Sequence, residues 1–157
     1  MALAAPVSAQ VGTGRAQAYV LEPLSLLNTR GLDFGIITAG PTAGTVTIDP
    51  ATEARTVTGG VVPLGGSVSA AEFLGAGAAK SKIAIIKEPR ASITLTRSGG
   101  TETMTVDTFM VEGGNGTSRQ LGNDGTLRFR VGARLNVGAN QAQGTYLGTF
   151  NVTVDYN

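Results

Sequence analysis

The side chains that most often carry chemistry are missing from this chain, which has neither histidine nor cysteine. Without cysteine there is no disulfide, no thiolate nucleophile and no zinc–thiolate site. Without histidine the usual general base and the commonest metal ligand are gone. Carboxylates remain. Glu102 with Asp107 and Asp49 with Glu53 are the pairs whose spacing invites an acid–base reading. Nothing in the surrounding sequence places either pair in a cleft, so no catalytic residue is assigned and no enzymatic activity is expected. Asn123 and Asp124 carry oxygens suited to calcium, but no EF-type spacing surrounds them, and a turn role fits Asn-Asp-Gly better. No metal and no cofactor are expected. The three tyrosines, Tyr19, Tyr146 and Tyr156, are too scattered to form a sugar-binding platform.

The chemistry that the residues do support is that of the backbone. In the last fourteen residues, Tyr146, Gly148, Phe150, Val152, Val154 and Tyr156 alternate with Leu147, Thr149, Asn151, Thr153 and Asp155. A strand repeats every two residues, so this stretch is predicted as one strand with an apolar and a mostly polar face. Such a strand has its edge covered by its own sheet or offered to a partner. The first residues alternate too: Leu3, Ala5, Val7, Ala9 and Val11 against Ala4, Pro6, Ser8 and Gln10. Two readings stand for them. Val7-Ser8-Ala9 fits the small-residue pattern before a signal-peptidase cut, with the basic region and full apolar region missing. Alternatively the stretch is a strand, with Pro6 tolerated where its missing N–H faces away from a ladder. Gly12-Thr13-Gly14 is a flexible joint, which divides the chain into an extension over residues 1–13 and a domain over 14–157.

Between these ends the pattern is one of short strands. A strand is predicted over 15–28, with Ala16, Ala18 and Val20 on one face, and a short one over 32–37. Gly40-Pro41 and Asp49-Pro50 read as turns, and Gly59-Gly60 as a hairpin or bulge. Residues 70–74 fit a short strand or a helical turn. Strands follow over 82–87 and 91–97, the latter with Ile93 and Leu95 inward. After the Gly99-Gly100 turn comes a strand with Met104, Val106, Thr108 and Met110 on one side. Asn123-Asp124-Gly125 is the strongest hairpin signal. The strand after it sets Leu127, Phe129 and Val131 against Arg128, Arg130 and Arg134, read as a solvated face that guards against edge pairing. No helical period persists for three turns. With 157 residues the chain can bury roughly 68–70% of its unfolded surface in one core. A net charge of +1 gives no electrostatic case for nucleic acid or acidic lipid. No apolar run approaches the roughly 18 residues that span a bilayer, so direct membrane insertion is not expected. The fold class predicted is an all-β, immunoglobulin-like antiparallel β-sandwich.

The two ends together resemble bacterial pilus subunits of the chaperone–usher type. Tyr156 is penultimate, Gly144 is fourteenth from the end, and Phe150, Val152 and Val154 fill the alternating places between them. The resemblance implies that Gly144, Phe150, Val152, Val154 and Tyr156 form the strand that meets a periplasmic chaperone and then borders the acceptor groove. It implies that Leu3, Ala5, Val7, Ala9 and Val11 are the strand donated to the next subunit, completing its sandwich. It further implies an outer-membrane usher, export through the periplasm to the cell surface, and a homopolymeric filament as product. The absence of cysteine departs from the many pilins with a disulfide near the start, which leaves the type of pilus system open. Leu32-Asp33-Phe34-Gly35, Val137-Gly138-Ala139-Asn140 and the closing Gly-Thr-Phe-x-Val-Thr-Val-x-Tyr resemble an uncharacterised family of secreted proteobacterial β-domains over most of the chain. The alternative function is a monomeric secreted β-sandwich that binds carbohydrate or another protein.

Overall fold

Alternating residues punctuated by glycine, proline and asparagine produce eleven strands and no helix among the described residues, which are 15, 17–87 and 92–157 of a computed structural model. The strands are β1 (Ser25–Arg30), β2 (Ile36–Ile48), β3 (Arg55–Gly65), β4 (Ala71–Ala76), β5 (Lys82–Lys87), β6 (Ser92–Arg97), β7 (Thr103–Val111), β8 (Ser118–Gln120), β9 (Thr126–Val137), β10 (Tyr146–Leu147) and β11 (Val152–Tyr156). Every pairing is antiparallel. The architecture is an all-β, sandwich-like fold of antiparallel, curled sheets.

The long strand β9 is the centre. On one side it pairs with β7; on the other its first half pairs with β4 and its second half with β2. The sheet extends past β4 to β1 and past β7 to β6 and β10. Phe129, Val131, Ala133, Leu135 and Val137 of β9 are buried, as are Met104 and Val106 of β7 and Phe73 of β4. A second, three-stranded sheet in the order β11-β5-β8 packs Ile83 and the inner face of β11 onto the same core.

The β2–β3 hairpin bends back over that core. A straight strand as long as β3 spans roughly 33 Å between its ends. Yet Arg55, at the start of β3, donates from Nη1 to the carbonyl of Gly65 at its end (3.2 Å) and to that of Phe34 (3.1 Å). The bend lies at the break in register between Ala39 and Gly44, opposite Gly59 and Gly60. Backbones cross there so closely that a Cβ on Gly44 would strike the Thr58 carbonyl, and one on Gly60 the Thr42 carbonyl. Gly40-Pro41 is therefore not a turn between strands but an irregularity inside β2, a position where proline's missing donor costs no ladder bond. Gly59-Gly60 is the matching bulge.

Other expectations are corrected. Residues 17–24 carry no strand, and pairing begins only at Ser25. Of the two readings open for residues 70–74, the strand is the one found, as Ala71–Ala76. In β7 the inward face changes: Met104 and Val106 are buried, then Phe109 and Val111, while Thr108 is exposed with a φ of 49°. The register shift between Asp107 and Met110 inserts extra residues and flips the side chains beyond it. Asn123-Asp124-Gly125 does turn the chain, with Gly122 N–H bonded to Thr126 O at 2.8 Å, but it joins β8 in one sheet to β9 in the other and makes no hairpin. The terminal stretch is two strands: β10 pairs with β6, and β11 pairs with β5 in the other sheet. Arg128, Arg130 and Arg134 do not guard an edge, because β9 is paired on both sides. Arg128 meets Glu72 at 2.9 Å, Arg134 meets Asp107 at 2.8 Å, and Arg130 lies 3.9 Å from Glu112, so the stripe is a set of cross-strand ion pairs.

Candidate functional site

Among the described residues, the second layer leaves part of the inner face of the first sheet uncovered. A groove of about 1100 Å³ opens between residues 30–37, continued by the 66–69 segment, and residues 144–150. Its floor is formed by core-facing side chains of the first sheet: Phe73, Ile93, Leu95, Met104, Val106 and Leu135. A smaller extension of about 390 Å³ continues it between Ile36–Ala39 and Gln141–Gly144. Ile93 and Leu95 are only half-buried, although Gly148 lies against Leu95.

Unpaired backbone lies in the walls and in the strands that continue them. Among the described residues, β11 pairs only with β5, β10 only with β6, and β1 only with β4. The outer half of β2, Ile36–Ala39, pairs only with β3, because β9 reaches no further than Gly44. An apolar floor between free strand edges is the geometry that accepts an extended peptide as an added strand.

The walls are held by local bonds. On one side Asp33 and Ser69 exchange backbone hydrogen bonds at 2.9 and 3.0 Å, and Asp33 Oδ1 accepts from Gly35 N–H at 2.8 Å. On the other, the Tyr146 hydroxyl donates to the Ala142 carbonyl (2.7 Å) and accepts from Gln141 Nε2 (2.8 Å). Gly144 has a φ of 147° and lies against the stem of Arg97, where a Cβ would collide. Arg97 grips Glu102 through two bonds, Nε–Oε2 at 2.6 Å and Nη2–Oε1 at 3.0 Å. The Arg97 side-chain bonds, followed by the backbone bond of Glu102 itself, lower the Glu102 carboxyl to about 2, and the bond to Glu102 and its negative charge raise the Arg97 guanidinium.

The sequence-derived residues divide as follows. Phe150 stands at the groove, 5.0 Å from the Phe109 ring and 6.2 Å from that of Phe73. Val152 and Val154 pack on the core from β11. Tyr156 closes the end away from the groove: its hydroxyl accepts from Ala78 N–H at 2.7 Å and donates to the Glu22 carbonyl at 2.9 Å. Gly77 leaves room there for Tyr156 and Leu24. Leu3, Ala5, Val7, Ala9 and Val11 lie outside the described residues. The wall over 30–37 was missed as part of a site; the signal for the floor was present in the inward alternation of Ile93 and Leu95.

The carboxylates weighed for catalysis serve the scaffold. Glu102 is held by Arg97. Asp107 is gripped by Arg134 and bonded by Asn136 and Thr108, which together lower its carboxyl. Glu53 pairs with Arg30, and Asp49 accepts from Ala51 N–H, Thr52 N–H and the Thr52 hydroxyl in its turn. Asp124 caps its turn through Thr126. Among the described residues, no three acidic side chains gather as they would around a metal ion.

Residues 24–156 match the family described as a domain of unknown function, DUF4402. The chain belongs to that family. No characterised protein and no solved structure matches it. The family match begins at Leu24 and ends at Tyr156, the two residues that meet beside Gly77, so it takes in both groove walls and the whole of the floor.

Proposed function

We propose that this DUF4402 chain is a structural subunit of a bacterial surface filament, polymerised by strand exchange. The observation that supports this is the groove of about 1100 Å³ whose floor is the fold's own core. The occupant is the leading stretch of a neighbouring copy, with Leu3, Ala5, Val7, Ala9 and Val11 turned to the floor. Burying each Val or Leu contributes roughly 1.5–3 kcal/mol, alanine less, and the ladder satisfies both free edges. Each copy gives one strand and receives one, so the contact is heterologous; where its rotation does not close, a fibre grows. The reading carries with it the partners that the pilus resemblance implies: a periplasmic chaperone that shields the groove before assembly, and an outer-membrane usher.

The test is deletion of residues 1–13. The expected result is that the full chain forms SDS-resistant multimers and the deleted chain runs as a monomer. An assembly state that deletion leaves unchanged overturns the reading, and the groove is then the ligand site of a monomeric binding module.

A further inference from the structure

Apart from Leu27 and Leu147, which stand singly, the exposed large apolar side chains of the described residues fall into two sets. One is Tyr19 and Val20, 82% and 89% exposed, with Leu21 beside them, just behind the leading stretch. The other is Ile36, Val62 and Leu64, at 59%, 53% and 61%, on the outer face of the folded-back half of the β2–β3 hairpin. Val62 lies opposite Thr38, and Leu64 beside the Ile36–Gly65 pair, so the second set is one patch. Ile36 also lines the groove, so the patch begins at the groove's mouth.

Strand direction relates the two sets. β11 runs from the Phe150 end of the groove towards Tyr156, whereas β1 starts beside Tyr156 and ends at the groove. All pairings in the fold are antiparallel, the more stable arrangement per residue. A strand added antiparallel to β11 has its C-terminal end on the Phe150 side, where Ile36 and Leu147 line the groove. Residues 12–18, seven residues that reach at most about 25 Å, then carry the donor's chain from Val11 to Tyr19 at that mouth. In the donor's own body, the bond from Tyr156 to the Glu22 carbonyl fixes the next residues of that chain.

We propose that Tyr19 and Val20 of the donating copy seat on the Ile36, Val62 and Leu64 patch of the receiving copy, forming a second contact between successive subunits. This rests on the strand-exchange reading above. It makes the joint a clamp and not a free tether, and stacks the Tyr156 end of one copy on the Ile36 end of the next. It also covers apolar surface that solvent otherwise meets.

The absence of native cysteine gives a clean test. Val20→Cys and Leu64→Cys are combined in the full chain, assembled, oxidised, and run after heat denaturation without reductant. The expected result is a ladder of covalent multimers that collapses to monomer on reduction. The control pair Val20→Cys with Leu27→Cys, the latter exposed but on β1, yields none, and adding Val7→Asp abolishes the ladder. Filaments that assemble normally yet run as monomers after heating overturn the clamp and leave strand exchange standing. A parent chain that forms no multimers at all overturns both.

Discussion

Replacing Tyr156 by Phe removes one oxygen and keeps the ring. That oxygen accepts from the nearly buried Ala78 N–H and donates to the more exposed Glu22 carbonyl. The carbonyl regains water in the variant, but the Ala78 donor does not, and a buried donor left without a partner costs about 1–3 kcal/mol. Ring packing against Leu24 and Gly77 is retained, so no cavity cost is added. Taking about 1–2 kcal/mol, and about 2–4 °C per kcal/mol for a domain of this size, the variant should melt about 2–8 °C below the parent. The assay is thermal unfolding followed by circular dichroism, with parent and variant in the same assembly state. Amide exchange gives a second readout: the Ala78 N–H should lose protection while the amides of β9 keep theirs. A variant with unchanged melting and a still-protected Ala78 amide would refute the reasoning, because the hydroxyl would then carry none of the tie between the last strand and residue 22.

Two further predictions concern the groove wall. The Glu102 carboxyl sits at about 2 in the folded chain against 4.5 when free, so its contribution to stability is present above pH 4.5 and is lost as pH falls towards 2. Glu102→Gln should therefore flatten the loss of melting temperature across that window, and a profile parallel to the parent's would contradict the assignment. Gly144→Ala forces a side chain onto a φ of 147° and into the Arg97 stem. It should cost more than about 1 kcal/mol in urea unfolding, and an unchanged midpoint would show that the backbone there is free to relax.

The all-β fold was legible because alternation and turn residues are local. So were the β6–β7 hairpin and the inward faces of Ile93, Leu95 and the last strand. The bends were not. Gly40-Pro41 and Gly59-Gly60 carry the same residues whether the chain reverses or merely kinks within a long strand, and only the pairing of Gly44 with both Gly59 and Val137 decides between them. The bulge at Thr108 was hidden because a threonine with positive φ has no sequence signature. The arginines of β9 were misread for a related reason: whether a strand is central or at an edge depends on partners far away in the chain. The final fourteen residues showed their faces but not their break. Tyr146, Phe150, Val152, Val154 and Tyr156 all turn to the core, yet Gly148 to Asn151 cross between sheets. That crossing borders the groove, and the alternation of a single strand does not show it.

The most direct measurement uses two singly substituted chains, one with Val7→Cys and the other with Leu95→Cys, mixed before assembly and then oxidised. If the leading stretch of one copy lies over the groove floor of another, a disulfide-linked heterodimer of the two chains appears, and it is absent when Leu27→Cys, exposed on β1 and outside the groove, takes the place of Leu95→Cys. Filaments that form from the mixture without any such heterodimer would contradict the account.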